Sequence, residues 1–195
     1  KYFKIEGNNN KKEIKVGITK SSVGTLLTAL EKYNSSQDEG LFVMPCDAAI
    51  DFSWEEFKNY KNSLEKLEGV VFSFKKYPYA RWMPEQYGWL ETSKDNFINS
   101  IGLKQGWNST FTNPIITGFF WFPKISNLID QLRLFRKENI QNKSELSIDE
   151  FCKSLIYKNK KIISYEVNDF LCLGVPQEFR TYEYWLKANE IKPLN

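Results

Sequence analysis

The apolar run Leu41-Phe42-Val43-Met44-Pro45-Cys46 ends in Asp47, and Asp51 follows four residues on. In open α/β sheets, ligands bind beyond the carboxyl ends of strands. A carboxylate there can hold Mg²⁺ against a phosphate, or it can simply cap the turn. The loop Tyr77–Trp89 crowds Tyr and Trp side chains and Arg81 around Pro78 and Pro84. Aromatics on a loop suit flat ligands such as sugars or bases; they also suit folding back onto a core. Lys104, just past the run Phe97–Ser100, can neutralise a phosphate as a point charge or sit solvated on the surface. Gly174-Val175-Pro176 marks a tight turn leading into a last helix.

Elements at helical and strand periods must position these groups. Leu26, Leu27, Leu30 and Tyr33 share a helical face, as do Leu128, Ile129, Leu132 and Phe135. A third helix is expected at Ile148–Ile156 behind Ser147 as N-cap, with others at Trp54–Leu67 behind Ser53 and at Glu178–Lys187. Strands are expected at Glu13–Thr19, Leu41–Pro45, Val70–Phe74, Gly88–Glu91, Phe97–Ser100, Ile115–Phe122 and Ile162–Val167. Their alternation with helices predicts an α/β class with a mainly parallel sheet flanked by helices. Residues 70–122 read as strands and aromatic loops without a helix, which predicts a small antiparallel β insert on that core. Gly7–Lys12 reads as a hairpin tip.

Composition narrows the chemistry. The 195 residues contain no histidine, which excludes a Ser-His-Asp triad, a Cys-His dyad and an imidazole base. The length and the 42% hydrophobic content suit one domain over residues 1–195 with a packed core. Cys46, Cys152 and Cys172 form no CxxC pair and suit free thiols in a cytoplasmic setting. Ile115–Phe122 is far shorter than the roughly 20 residues of a membrane-spanning helix, so no membrane partner is expected. The net charge is +3, with acids interleaved among Lys75-Lys76 and Lys158–Lys161 and little arginine, so no nucleic-acid partner is expected either. Abundant lysine and asparagine suit an AT-rich bacterial genome.

The order of the motifs resembles the bacterial sugar-phosphate nucleotidyltransferases, the NDP-sugar pyrophosphorylase-like family with a GT-A (Rossmann-like) fold. Gly24-Thr25-Leu26-Leu27 resembles the family's base-side loop and helix, and Leu41–Asp47 its strand ending in the metal-binding aspartate, with Ile50-Asp51-Phe52 following. Tyr87-Gly88-Trp89-Leu90-Glu91 is similar to the sugar-side strand, and Ser100–Lys104 to the strand carrying the phosphate-binding lysine. Thr117–Phe122, Ser144–Asp149, Tyr165-Glu166-Val167, Leu171–Pro176 and Tyr182–Trp185 resemble the remaining segments in order, so the likeness runs from about residue 19 to 186. The family's opening Gly-rich phosphate loop has no counterpart in residues 1–195, so the domain is expected to be N-terminally incomplete. Cys172 stands where many relatives place a second metal aspartate, Leu103 replaces an acid before the lysine, and Val175 replaces a threonine.

The resemblance implies transfer of a nucleoside monophosphate from a nucleoside triphosphate to a sugar 1-phosphate, or to a similar phosphorylated alcohol. Pyrophosphate leaves, and the product feeds cell-surface polysaccharide synthesis. It implies Mg²⁺ as cofactor, Asp47 as metal ligand and Lys104 as phosphate-binding residue. Gly88, Tyr87, Glu145 and Thr117 would line the acceptor site. Asp169, close in sequence to Cys172, is the implied stand-in for the second metal carboxylate. The alternatives are a non-catalytic nucleotide- or sugar-binding regulatory domain on the same fold and a carbohydrate-binding module built on Trp82 and Trp89. The oligomeric state stays open.

Overall fold

The computed structural model describes residues 2–7, 10–33, 39–103, 113–139 and 146–190. Strands β1 (Tyr2–Gly7) and β2 (Asn10–Lys15) form an antiparallel hairpin that pairs Gly7 with Asn10, as the Gly7–Lys12 segment predicts. Helix α1 (Ser22–Tyr33) begins where Ser21 Oγ accepts the Gly24 N–H at 3.0 Å, and it buries Val23, Leu26, Leu27, Ala29 and Leu30. Strands β3 (Leu41–Val43) and β4 (Ala48–Asp51) flank the Asp47 turn. Helix α2 (Trp54–Asn62) is capped by Ser53, whose side chain accepts the Glu56 N–H at 3.2 Å. Next come β5 (Gly69–Phe74), the short helix α3 (Pro78–Trp82), β6 (Gly88–Thr92), β7 (Ile98–Leu103) and β8 (Ile115–Phe122). Helix α4 (Ile125–Glu138) buries Ile125, Leu128, Leu132 and Phe135. Helix α5 (Ile148–Tyr157) starts in a reciprocal cap between Ser147 and Glu150. Strands β9 (Ile162–Glu166) and β10 (Asp169–Cys172) lead to α6 (Pro176–Glu190), which begins at the turn expected there.

The class is mixed α/β, as expected, but the direction of the strands is corrected. The central sheet runs β7-β6-β8-β5-β9, with β3 also on β8. Among the described pairs only β5 with β9 is parallel; β3–β8, β5–β8, β6–β8 and β6–β7 are antiparallel. A parallel pair needs a crossover of a dozen or more residues, usually helical. Between β5 and β9 the chain passes through α4 and α5 and runs parallel; between β5 and β8 the described residues form no long helix to cross over with, and the pair is antiparallel. Residues 70–122 pair antiparallel, as expected, but they contain α3 and are not an insert: β5 and β8 form the centre of the main sheet, and the β6–β7 hairpin extends it.

Both faces of the sheet are covered, so β5 and β8 are nearly continuous apolar runs. On one face Val71, Ile116, Phe120 and Phe122 pack with α1, α4 and α5 residues such as Leu30, Leu132 and Phe151. On the other, Val70, Phe72, Phe119 and Ile163 meet Phe57 of α2 and a shell of aromatic rings. Strand β8 bulges midway. Val71 pairs with Phe120 and Ser73 with Ile116, so Thr117, Gly118 and Phe119 face Phe72 alone. Gly118 sits in the bulge at φ +85°, with Pro45 against its Cα. Gly118→Ala is expected to cost about 1–2 kcal/mol in urea unfolding through the left-handed backbone alone. No helix among the described residues is long and apolar enough to cross a membrane.

Candidate active site

Asp47 lies four residues past the carboxyl end of β3 and directly before β4, and Pro45 in the same turn faces Gly118 of the bulge. Strand β4 then pairs antiparallel with β10, from Ala48 opposite Cys172 to Asp51 opposite Asp169. The Leu173 N–H donates to the Asp47 carbonyl at 2.7 Å and carries that ladder one residue further. The backbone of Asp47 is thus fixed, while its side chain is exposed. Its carboxylate lies over Gly174: a Cβ built there would stand 2.7 Å from Asp47 Oδ2. Only glycine leaves that carboxylate where it is. Gly174→Ala is therefore expected to push the Asp47 side chain aside. Because an exposed side chain can swing away, stability should change by less than about 1 kcal/mol. Thermal unfolding and an activity assay on the same sample separate the two effects.

The antiparallel register separates the two expected metal carboxylates. Asp169 stands opposite Asp51, at the far end of the ladder from Asp47. Three register steps of about 3.4 Å put it roughly 10 Å from the Cys172 end. Its own Oδ1 accepts the Phe170 N–H at 2.8 Å. The register thus places Asp169, expected as a second ligand from its sequence proximity to Cys172, away from Asp47. Cys172 is no substitute. Its thiol lies near Glu178, and burial first, then the nearby Glu178, push its pKa up against the opposing pull of the Gly174 and Val175 backbone. A thiol is also a soft donor, ill-suited to Mg²⁺. Among the described residues no three His, Cys, Asp or Glu side chains gather into a cluster able to hold a metal. A single exposed carboxylate still suits Mg²⁺, which is commonly held by one or two carboxylates together with substrate phosphates.

The acceptor-side residues divide. Gly88 opens β6 and pairs with Leu103, the residue before Lys104. Lys104 and Glu145 themselves lie outside the described residues. Tyr87 is buried, and its hydroxyl donates inward to Glu178 rather than outward to a ligand. Thr117 is buried on β8, where its hydroxyl donates to the Phe72 carbonyl at 2.8 Å and closes the bulge. Neither side chain lines an open acceptor pocket. The aromatic loop divides as well. Trp89 is buried and its Nε1–H donates to the Pro84 carbonyl at 2.9 Å, whereas Trp82 is 79% exposed.

Two features escaped the sequence. A small hollow of about 10 Å³ lies where β5 ends and β8 begins, lined by Lys76, Tyr77, Arg81, Trp89, Asn113 and Ile115. That volume is room for one water. Lys76 read as part of a solvated basic face, and no local signal marked it otherwise. The second is Glu178, in the first turn of α6 and only 3% exposed. Its carboxyl accepts the hydroxyls of both Tyr77 and Tyr87. Burial and that carboxyl hold both tyrosines well above the usual phenol range.

No protein-family model matches the sequence, and no curated protein does. Solved structures do match. The nucleoside-diphosphate-sugar pyrophosphorylase of Vibrio cholerae RC9 superimposes with TM-score 0.63 at 16% identity, over 84% of this chain and 65% of that one. The inositol-1-phosphate CTP transferase of T. maritima gives TM-score 0.60 at 14% identity, over 90% of this chain and 64% of that one. A Bacillus anthracis protein described as a candidate glucose-1-phosphate thymidylyltransferase gives 0.57 at 11%, over 88% and 62%. The chain thus spans 62–65% of the length of these neighbours. What it shares with them is the fold of the sugar-phosphate nucleotidyltransferases, the fold that the order of its sequence motifs resembles.

Proposed function

We propose that this chain is part of a nucleotidyltransferase that joins a nucleoside monophosphate to a sugar 1-phosphate or a similar phosphorylated alcohol. The observation that carries the reading is the exposed Asp47 carboxylate in the turn between β3 and β4, backed by Gly174, on a fold shared with sugar-phosphate nucleotidyltransferases. An oxygen of the acceptor phosphate attacks the α-phosphorus of the triphosphate in line, and pyrophosphate leaves. That oxygen is already ionised, so the absence of histidine is no handicap. Asp47 would hold Mg²⁺ together with the nucleotide phosphates. When bound, the ion supplies charge neutralisation on the transferring phosphoryl group. The remaining work is positioning. By the family resemblance, Gly88 would let the acceptor approach the backbone, Lys104 would pair with its phosphate, and Glu145 would contact the acceptor. Lys76 and Arg81 add positive charge around the hollow where β5 ends. A cytoplasmic role in making polysaccharide precursors follows from this reading.

The full product of the gene, with Mg²⁺ and a panel of nucleoside triphosphates and phosphorylated acceptors, is expected to release pyrophosphate with at least one pair. Inertness across the panel rejects the reading. One observation favours a second, non-catalytic reading as a nucleotide- or sugar-binding domain: the position of the second metal carboxylate is a thiol near Glu178. Binding of nucleotide that ignores Mg²⁺ would support it.

A further inference from the structure

Helix α6 is held in an unusual way. Phe179, Tyr184, Trp185 and Leu186 are exposed, and among its described side chains only Glu178 is buried. A surface helix normally docks through an apolar stripe; this one docks through a carboxyl group. Two segments donate to it: Tyr77 precedes α3, and Tyr87 precedes Gly88 and β6. Cys172, which ends β10, lies nearby. The two tyrosine rings meet edge to face with centroids 5.6 Å apart, so the carboxyl and the rings form one packed unit. One residue past Cys172, the Leu173 N–H holds the Asp47 carbonyl; one further, Gly174 backs the Asp47 carboxylate. A buried carboxyl without donors would be costly; here each oxygen accepts a tyrosine hydroxyl, and α6 itself follows the turn that backs Asp47.

We infer that Glu178 is a positioning residue that fixes the acceptor-side strand start, Tyr87-Gly88, relative to the turn bracing Asp47. It touches no substrate in this account and acts through Tyr87. The inference rests on the proposed nucleotidyl transfer.

The test compares the wild-type full gene product with Glu178→Gln, Tyr87→Phe and the double variant in steady-state pyrophosphate release. Glu178→Gln keeps the shape and removes one acceptor oxygen; Tyr87→Phe removes one donor and leaves the carboxyl bonded to Tyr77. Each is expected to raise the KM for the phosphorylated acceptor by about tenfold, since a small misplacement is amplified in positioning. The nucleotide KM should stay within about twofold. The double variant should be no worse than Glu178→Gln alone, because both act through one contact. If Glu178→Gln does not fold, Tyr87→Phe carries the comparison. A fall in thermal midpoint with both KM values unchanged makes Glu178 a mere anchor and overturns the inference, as does an equal loss for both substrates. A wild-type protein that releases no pyrophosphate overturns the proposed function and this inference with it.

Discussion

Asp47→Asn is expected to lower pyrophosphate release by at least about 10²–10³-fold while leaving the protein folded. The size follows from losing a charged group that stabilises charge in phosphoryl transfer. The preserved fold follows from the local geometry. The Asp47 backbone carbonyl, not its side chain, joins the β4–β10 ladder through Leu173. The side chain is exposed and lies against a glycine, so the isosteric amide meets no new obstacle. Urea unfolding should therefore shift by no more than about 0.5 kcal/mol. Activity within tenfold of wild type would remove Asp47 from the chemistry.

Phe72→Ala is expected to destabilise the protein by about 3–5 kcal/mol, the range for emptying a large aromatic site. Phe72 is wholly buried in β5. Its ring centroid lies 5.1 Å from those of Phe42 and Phe57, 5.2 Å from Phe52 and 5.5 Å from Tyr165. These rings come from β3, α2, β9 and the link after β4, so the cavity would loosen several elements at once. Phe72 also supplies the carbonyl that accepts the Thr117 hydroxyl in the β8 bulge, beside the Gly118–Pro45 contact. The measurement is the urea midpoint at constant slope. A loss below about 1 kcal/mol would mean that the ring cluster collapses freely and is not the framework described.

Local chemistry explains which parts of this molecule were legible. The helices announced themselves through a cap and a period: Ser53 and Ser147 occupy the cap positions, and Leu128, Leu132 and Phe135 face inward. The run Ile115–Phe122 is β8 as read, because apolar residues flank Thr117 and Gly118 on both sides. Strand direction was not legible, since side-chain alternation is the same for both pairings. The short strands Ala48–Asp51 and Asp169–Cys172 were missed because each is only four residues long and derives its order from the other. That omission misplaced Asp169: only the register shows that it faces Asp51. Asp47 and Gly174 were each singled out, the latter only as a turn; the contact that relates them is tertiary. Glu178 was invisible for a similar reason. A glutamate in a first helical turn ordinarily faces water, and its partners Tyr77 and Tyr87 lie 101 and 91 residues away.

If the turn carrying Asp47 is a metal-dependent nucleotide site, calorimetric titration of the full gene product with nucleoside triphosphates, with and without Mg²⁺, shows it. Binding should require Mg²⁺ and be lost in Asp47→Asn. Binding of equal strength without the metal, or no binding of any nucleotide, would contradict it.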